Sequence, residues 1–565
     1  MAPRKMIGQF FKELGFVHEG MIQEALGLQA NLGKRLGETL VELGHINEEQ
    51  LVQGLARQSD LVYVSSEELG ATPPREILRK IDAGTARVYC AFPLRMEGER
   101  LLVVLGDPLN VSVLDDLGFT AGCELQGGLA PPAALTKAIE ETYGREEVGS
   151  GQDPLLEAVE EFTSSGSKSL DLEDKAAMAQ AAPVVKLLNY ILYQAVRDKA
   201  SDIHLEPFED DFKIRYRVDG VLYDLKAPPA HLAVALISRV KVMADLDIAE
   251  TRIPQDGRIE LSVGGRPVDL RISTLPTMFG ESCVMRILDR SVVSLDLDHL
   301  GLRPAERGII ERVLDLPHGI VLVTGPTGSG KTTTLYAALN EANREEIKII
   351  TVEDPVEYDL EGIVQIPVNE DIGVTYASVL RTILRQDPDK ILVGEIRDRE
   401  TARTAIEASL TGHVVFSTLH TNDAPSAITR LLDIGVEPYL LTSTLEVVVA
   451  QRLVRLICRQ CLTVYEPDDK VLMELRLDEK ELAGKTFSYG EGCDLCNHTG
   501  FRGRTALFEF MQVTEPLKHL ILDGASTTEL RHQALEDGMR TLRSAGLLAI
   551  YDGLTTVEEV LRETM

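Results

Sequence analysis

The sequence predicts an α/β chain of several domains built around one nucleotide-binding parallel sheet, and three observations carry that prediction. Gly325-Pro326-Thr327-Gly328-Ser329-Gly330-Lys331-Thr332 fits the phosphate-loop pattern G-x-x-x-x-G-K-[ST] at every fixed position. It lies between the β-branched run Ile320-Val321-Leu322-Val323-Thr324 and the helical run Thr333-Thr334-Leu335-Tyr336-Ala337-Ala338-Leu339, which supplies the strand, turn and helix the pattern needs. Two later strand-like runs, Ile347 to Val352 and Lys390 to Val393, each run into acidic residues, placing carboxylates at the carboxyl ends of strands, where α/β sheets gather ligands.

The residue types of the loop dictate its chemistry. Glycines let consecutive backbone N–H groups converge on a di- or triphosphate at a helix N-terminus, where the dipole also favours negative charge. Lys331 is expected on the β- and γ-phosphates, and Thr332 is expected to offer its hydroxyl to Mg²⁺, which keeps several waters and takes few protein oxygens. Thr333 follows as part of the same site. ATP and Mg²⁺ are therefore the expected ligands.

At 565 residues the chain holds several domains. Its 58 Lys and Arg against 89 Asp and Glu give a net charge of −31, which repels a nucleic acid duplex on average and argues against a nucleic acid substrate. No apolar run reaches membrane-spanning length and the N-terminus lacks the apolar core of a signal peptide, so a cytoplasmic location is expected. Of seven cysteines, four form two C-x-x-C pairs. In a reducing compartment such pairs point to metal, and Cys458, Cys461, Cys493 and Cys496 together satisfy tetrahedral zinc without histidine, as a structural and not a catalytic site. Cys90, Cys123 and Cys283 are read as packing residues.

Taken in order, residues 1–62 contain a repeat with an offset of 29 positions, which aligns Gly8 with Gly37, Gly15 with Gly44, Ile22 with Leu51 and Gln29 with Gln58. Residues 63–143 alternate short strands such as Leu101-Leu102-Val103-Val104-Leu105 with helical stretches, giving a small α/β domain. Residues 144–182 shift to Gly, Ser, Glu and Asp and read as a flexible acidic linker. Residues 183–290 read as a mixed domain whose strands carry Arg217, Arg258, Arg271 and Arg286. Arginines fixed on a sheet cost desolvation unless an anion meets them, so these four are candidates to touch phosphate, with solvated surface ion pairing as the alternative. Residues 291–454 hold the nucleotide site, 455–510 the cysteine lobe, and 511–565 a helical end without evident chemistry. The segment Ala450 to Ile457 reads as a helix.

These residues resemble one family closely, the hexameric secretion ATPases that include general secretion pathway protein E and the type IV pilus extension ATPase. The likeness is densest from Ser201 to Arg504. It implies a RecA-like phosphate-loop motor domain preceded by a PAS-like α+β domain, with small N-terminal helical and α/β domains and a zinc-binding lobe. Thr351-Val352-Glu353-Asp354-Pro355-Val356-Glu357-Tyr358 is similar to the family's Asp box, which implies Glu357 as general base, with Glu353 and Asp354 on ATP and Mg²⁺. Gly394-Glu395-Ile396-Arg397-Asp398 looks like its Walker B segment, so Glu395 should hold Mg²⁺ through water. Thr411 to His420 matches its His box: His420 could sense the γ-phosphate, whereas His413 is either a site residue or a satisfied core residue.

The resemblance further implies a homohexamer in which Arg271 and Arg286 reach phosphate as a cleft closes, with Arg381, Arg385 and Arg397 as further candidates. Arg381 and Arg385 share one helix face by their spacing. The N-terminal repeat resembles the tandem cyclic di-GMP-binding motif of some of these ATPases, whose units begin Arg-Leu-Gly and end in Gln. Gly8, Gln29, Arg35, Leu36, Gly37 and Gln58 match it, while Met6 stands where the first unit's arginine belongs. Residues 63–143 resemble the docking domain of the same proteins, implying an inner-membrane platform, reached through a cytoplasmic docking partner, as the site of peripheral attachment.

Three readings of function follow. The first is an ATP-hydrolysing motor for type II secretion or type IV pilus extension. The others are a cyclic di-GMP-regulated signalling module, and a DNA-uptake translocase, which the −31 charge disfavours.

Overall fold

A computed structural model describes residues 6–32, 35–81, 83–108, 113–143, 182–225, 228–263, 266–289, 295–467, 473–475 and 485–564. The expected linker, apart from its last residue, lies outside them. The chain divides into two compact units, residues 1–292 and 293–565.

The first unit opens with two helix pairs, α1 (Ile7–Glu13) with α2 (Glu19–Leu32) and α3 (Leu36–Glu42) with α4 (Glu48–Gln58). The two equivalent glycines differ in packing. A Cβ on Gly37 would stand only 2.4 Å from the Leu51 side chain, so glycine favours the close approach of α3 to α4, whereas one on its counterpart Gly8 would meet Ile22 at 3.4 Å, an ordinary van der Waals contact. Gly15 and Gly44, equivalent by the same offset, both take positive φ, +74° and +70°, after the first helix of each pair. Phe11 fills the centre, and a Cβ on Gly54 would meet its ring at 2.1 Å. Gly54→Ala is expected to destabilise this helical region by about 1–3 kcal/mol through overpacking. Hydrogen exchange should rise across residues 7–58 and stay unchanged in the second unit.

Next comes a four-stranded sheet in the order β1 (Val62–Tyr63), β4 (Leu125–Leu129), β3 (Arg100–Leu105), β2 (Ala91–Glu97). Residues 101–105 are wholly buried in it, as their unbroken apolar run requires. The mixed region that follows is a six-stranded antiparallel sheet in the order β7 (Val221–Asp224), β6 (Phe212–Val218), β5 (Ala200–Pro207), β10 (Gly280–Asp289), β9 (Arg266–Thr277), β8 (Gln255–Val263). Its strands alternate: Phe212, Ile214 and Tyr216 face the core formed with helices Ala182–Arg197 and Ala233–Met243, while Lys213, Arg215 and Arg217 take the other face.

The second unit is organised on a seven-stranded sheet, β13 (Val364–Pro367), β12 (Ile349–Glu353), β14 (Lys390–Val393), β15 (Val414–Leu419), β11 (Gly319–Thr324), β16 (Leu445–Ile457), β19 (Phe501–Gln512). Six strands are parallel and β19 alone runs against its neighbour. Strands β11, β12, β14 and β15 are buried along their whole length, the mark of a parallel sheet covered on both faces.

The expected helix at Ala450 to Ile457 is instead the second half of strand β16, which pairs antiparallel with β19, while the first half, Leu445 to Ala450, pairs in parallel with β11. Leu453, Val454, Leu456 and Ile457 fall at spacings that suit a helix, but the β-branched run Val447-Val448-Val449 starts a strand that two neighbours hold, and tertiary pairing overrides the local pattern. The C-terminal end is helical as expected, in helices Glu515–Leu522, Thr527–Glu536, Leu542–Tyr551 and Val557–Glu563. Among the described residues, no helix is long and apolar enough to cross a membrane.

Candidate nucleotide site and cysteine cluster

The phosphate loop joins β11 to the helix Lys331–Ala342. Gly325, Gly328 and Gly330 all take positive φ, +153°, +80° and +86°, and Gly330 is the left-handed residue that starts the helix. Two of them are also sterically fixed. A Cβ on Gly325 would lie 2.6 Å from the Gln451 carbonyl and from Ser329 Oγ, and one on Gly330 would lie 2.8 Å from Gln451 Nε2. Pro326, Thr327, Gly328 and Thr332 are exposed, Gly330, Lys331 and Thr333 half-buried, and Ser329 buried, so the loop opens outward over a packed base. Lys331 Nζ donates to the Gly325 and Pro326 carbonyls at 2.9 and 3.0 Å. Burial pulls its pKa below the usual lysine value, while the Glu395 carboxylate opposes that shift.

Three further segments arrive at the same sheet edge because β12, β14, β15 and β11 are neighbours in that order. Glu395 follows β14 and is 8 % exposed. It pairs with Arg397 and lies 3.3 Å from His420 Nε2, which follows β15. Thr324 Oγ1 ties the end of β11 to the same place, donating to the Leu419 carbonyl at 3.1 Å and accepting from the Thr421 N–H at 2.8 Å. Asp354 is exposed and Glu357 half-buried on the loop after β12.

Glu353 departs from the expectation that it meets ATP and Mg²⁺. It is 4 % exposed, one oxygen accepts from the Tyr336 phenol, and the other accepts from Thr351 Oγ1 and from Gln365 Nε2. Both oxygens are therefore engaged within the protein, because β12 turns this side chain inward. His413 resolves as a local residue: its Nδ1 lies 2.8 Å from the Ala408 carbonyl near the end of helix Arg399–Leu410.

The arginines separate. Arg397 joins Glu395 directly, whereas Arg381 pairs with Glu400 and Arg385 donates to the Arg381 carbonyl at 2.9 Å. In the first unit, strand register sets Arg258, Arg271, Arg286, Asp202 and Arg217 in one row across β8, β9, β10, β5 and β6. Arg286 Nε meets Asp202 at 3.0 Å, and Arg217 donates to the Gly220 carbonyl at 2.9 Å. Like charges directly opposite on adjacent strands are destabilising, and Asp202, standing in the same row, pairs with Arg286 and, at 3.8 Å, with Arg217. In the N-terminal repeat, Gly8 and Gly37 are buried, Leu36 is half-buried, Arg35 and Gln58 are exposed, and Gln29 closes α2 near its end.

Sequence reasoning missed Tyr336, Gln365, Gln451 and Tyr376. Gln451 Oε1 accepts from Thr334 Oγ1 at 2.8 Å, fastening β16 to the phosphate-loop helix. Burial, followed by the carboxylates of Glu395 and Asp354, raises the Tyr376 pKa well above a free phenol, so it stays protonated beside the site. The available signal was a tyrosine or glutamine inside an otherwise apolar run, since such a group needs a partner when buried.

The four cysteines converge. Cys458 and Cys461 follow β16, while Cys493 and Cys496 follow the hairpin of β17 (Leu462–Tyr465) with β18 (Phe487–Gly490). Their sulfurs lie within 4.8 Å of one another, with separations of 3.8 Å for Cys458 to Cys493, 3.8 Å for Cys461 to Cys496 and 3.7 Å for Cys493 to Cys496. Four thiolates about 2.3 Å from one zinc stand about 3.8 Å apart at the corners of a tetrahedron. Backbone N–H groups of Gly492 and Gly500 donate to Cys461 and Cys496 at 3.3 Å each. The cluster fits zinc. Cys493→Ser is expected to abolish stoichiometric zinc, measured by elemental analysis, and to lower the melting temperature. Unchanged zinc content would refute the ligand set.

The sheet order, the phosphate loop and the acidic strand ends define a RecA-like phosphate-loop NTPase. Residues 177–562 match the family described as Type II/IV secretion system protein, and residues 62–149 match the MshEN domain. The chain belongs to the type II/IV secretion system protein family, and it is an ATPase. It is 40 % identical to the type IV pilus assembly ATPase PilB of Myxococcus xanthus, over 99 % of this chain and 98 % of that one. It is 44 % identical to type II secretion system protein E of Xanthomonas campestris, over 95 % of this chain and 94 % of that one. The Yersinia pseudotuberculosis ATPase DotB shares the fold at a TM-score of 0.51 and 22 % identity, covering 67 % of this chain and 93 % of that one.

Proposed function

We propose that the protein is a hexameric, Mg²⁺-dependent motor that couples ATP hydrolysis to subunit addition in a type II secretion or type IV pilus machine. The observation that carries this reading is the arrival of the phosphate loop, the Asp-box loop, Glu395 and His420 at the ends of four neighbouring strands. In it, the loop amides and Lys331 hold the phosphates, Thr332 and Glu395 orient Mg²⁺ and its waters, and Glu357 takes the proton of the attacking water. Arg217, Arg258, Arg271 and Arg286 present positive charge to phosphate, and Arg397 is held by Glu395 until nucleotide competes for it.

Zinc in the cysteine cluster is a structural element in this reading, and β16 links it to the phosphate-loop helix through Gln451. The N-terminal repeat is the proposed place for cyclic di-GMP, with Arg35 as its available cation, and residues 63–143 are the proposed contact to the membrane platform through a docking partner.

The test is steady-state phosphate release by purified protein with Mg²⁺-ATP, with and without the cytoplasmic part of the platform protein, and separately with DNA. Stimulation by the platform and none by DNA is expected. Stimulation by DNA alone would contradict the reading and favour a translocase.

A further inference from the structure

Tyr336 belongs to no recognised motif, yet it sits at the junction of the two loops that hydrolysis needs. It lies five positions after Lys331 on the phosphate-loop helix and is 0 % exposed. Its phenol donates to Glu353 and accepts from the backbone N–H of Glu357 at 3.3 Å. Burial, then the bond to Glu353, raises its pKa far above a free phenol, so the group stays a donor at any physiological pH.

Gln365 on β13 completes the arrangement. Its Nε2 donates to Glu353 at 3.2 Å, to the Tyr358 carbonyl at 3.1 Å and to the Tyr336 oxygen at 3.4 Å, and its Oε1 accepts from the Leu360 N–H at 2.7 Å. Four separate stretches of chain are thereby joined: the phosphate-loop helix, strand β12, the loop carrying Glu357, and edge strand β13. Charged members of such buried networks are costly to leave unpaired, so the network holds one geometry.

We propose that Tyr336 is a positioning residue for hydrolysis: through Glu353, Gln365 and the Glu357 amide it fixes the Asp-box loop against the phosphate-loop helix. The proposal rests on the reading of Glu357 as general base. Buried and bonded only within the protein, Tyr336 acts through its partners: it sets where the Glu357 carboxylate stands when the γ-phosphate is in the loop. A displacement of about 1 Å in a reacting group can cost about 10²-fold in rate.

The test compares Tyr336→Phe, Tyr336→Phe with Glu353→Gln, Gln365→Met and Glu357→Gln in the full chain, reading kcat, affinity for a fluorescent ATP analogue and melting temperature. Tyr336→Phe is expected to lower kcat by about 10²-fold with nucleotide affinity within about twofold. Adding Glu353→Gln neutralises the carboxylate left behind and should recover melting temperature but not kcat. Gln365→Met should show the same selective loss of kcat, which keeps the proposal testable if Tyr336→Phe fails to fold. The proposal is overturned if Tyr336→Phe turns over like wild type while Glu357→Gln does not, or if the double variant recovers kcat together with stability. If Glu357→Gln itself turns over like wild type, the reading of the general base fails and the positioning role falls with it.

Discussion

Lys331→Ala should give a folded protein that has lost ATP turnover and most of its nucleotide affinity. Lys331 Nζ rests on two carbonyls of its own loop, Gly325 and Pro326. It starts the helix that the left-handed Gly330 introduces, and in the proposed reading its ammonium meets the phosphate oxygens. A hydrogen bond to a charged group contributes about 1.5–3 kcal/mol, which is about 10- to 150-fold in affinity, and the interaction strengthens as charge develops on the transferring phosphoryl group. A loss in kcat/KM of at least about 10²-fold is therefore expected. Tight binding of a fluorescent ATP analogue to the variant would place the nucleotide elsewhere.

The second unit's sheet was largely legible from sequence, and the reason is physical. Parallel strands buried on both faces must be unbroken apolar runs, and each of β11, β12, β14 and β15 is one. The glycines of the phosphate loop were legible because no other residue fits Gly325 and Gly330 beside Gln451. Strand β16 was not, since its second half carries apolar residues at spacings common to helix and strand, and only pairing with β19 decides between them. The direction of Glu353 was also hidden. A sequence motif says that three acidic residues lie within five positions, but the pleat of β12 decides that Glu353 turns inward to Tyr336 and Gln365 while Asp354 reaches solvent. In the N-terminal repeat one glycine read as part of a ligand motif, Gly37, is also a contact point between helices, since a Cβ there would stand 2.4 Å from the Leu51 side chain.

Glu357→Gln carries the other large effect. The substitution keeps the size of the side chain and its hydrogen-bonding reach, and leaves the backbone N–H that bonds to Tyr336, so the loop should hold its place. What it removes is the basic carboxylate. General-base catalysis typically contributes about 10²–10⁴-fold, and a fall in kcat of that size is expected with nucleotide affinity preserved or improved, because the amide adds no negative charge beside the γ-phosphate. The pattern contrasts with Lys331→Ala, in which affinity and turnover fall together. Glu395→Gln provides an internal comparison: Glu395 is paired with Arg397 and adjacent to His420, so its loss should weaken the magnesium dependence of turnover in addition to its rate.

The most direct test of the central claim, that one carboxylate beside the phosphate loop drives cleavage of a triphosphate held there, is the identity of the nucleotide retained on the enzyme. Wild-type and Glu357→Gln protein are incubated with Mg²⁺-ATP, freed of unbound nucleotide, quenched in acid, and the released nucleotides separated. The account predicts ADP from the wild type and intact ATP from Glu357→Gln. ADP released from both, formed at equal rates, would contradict it.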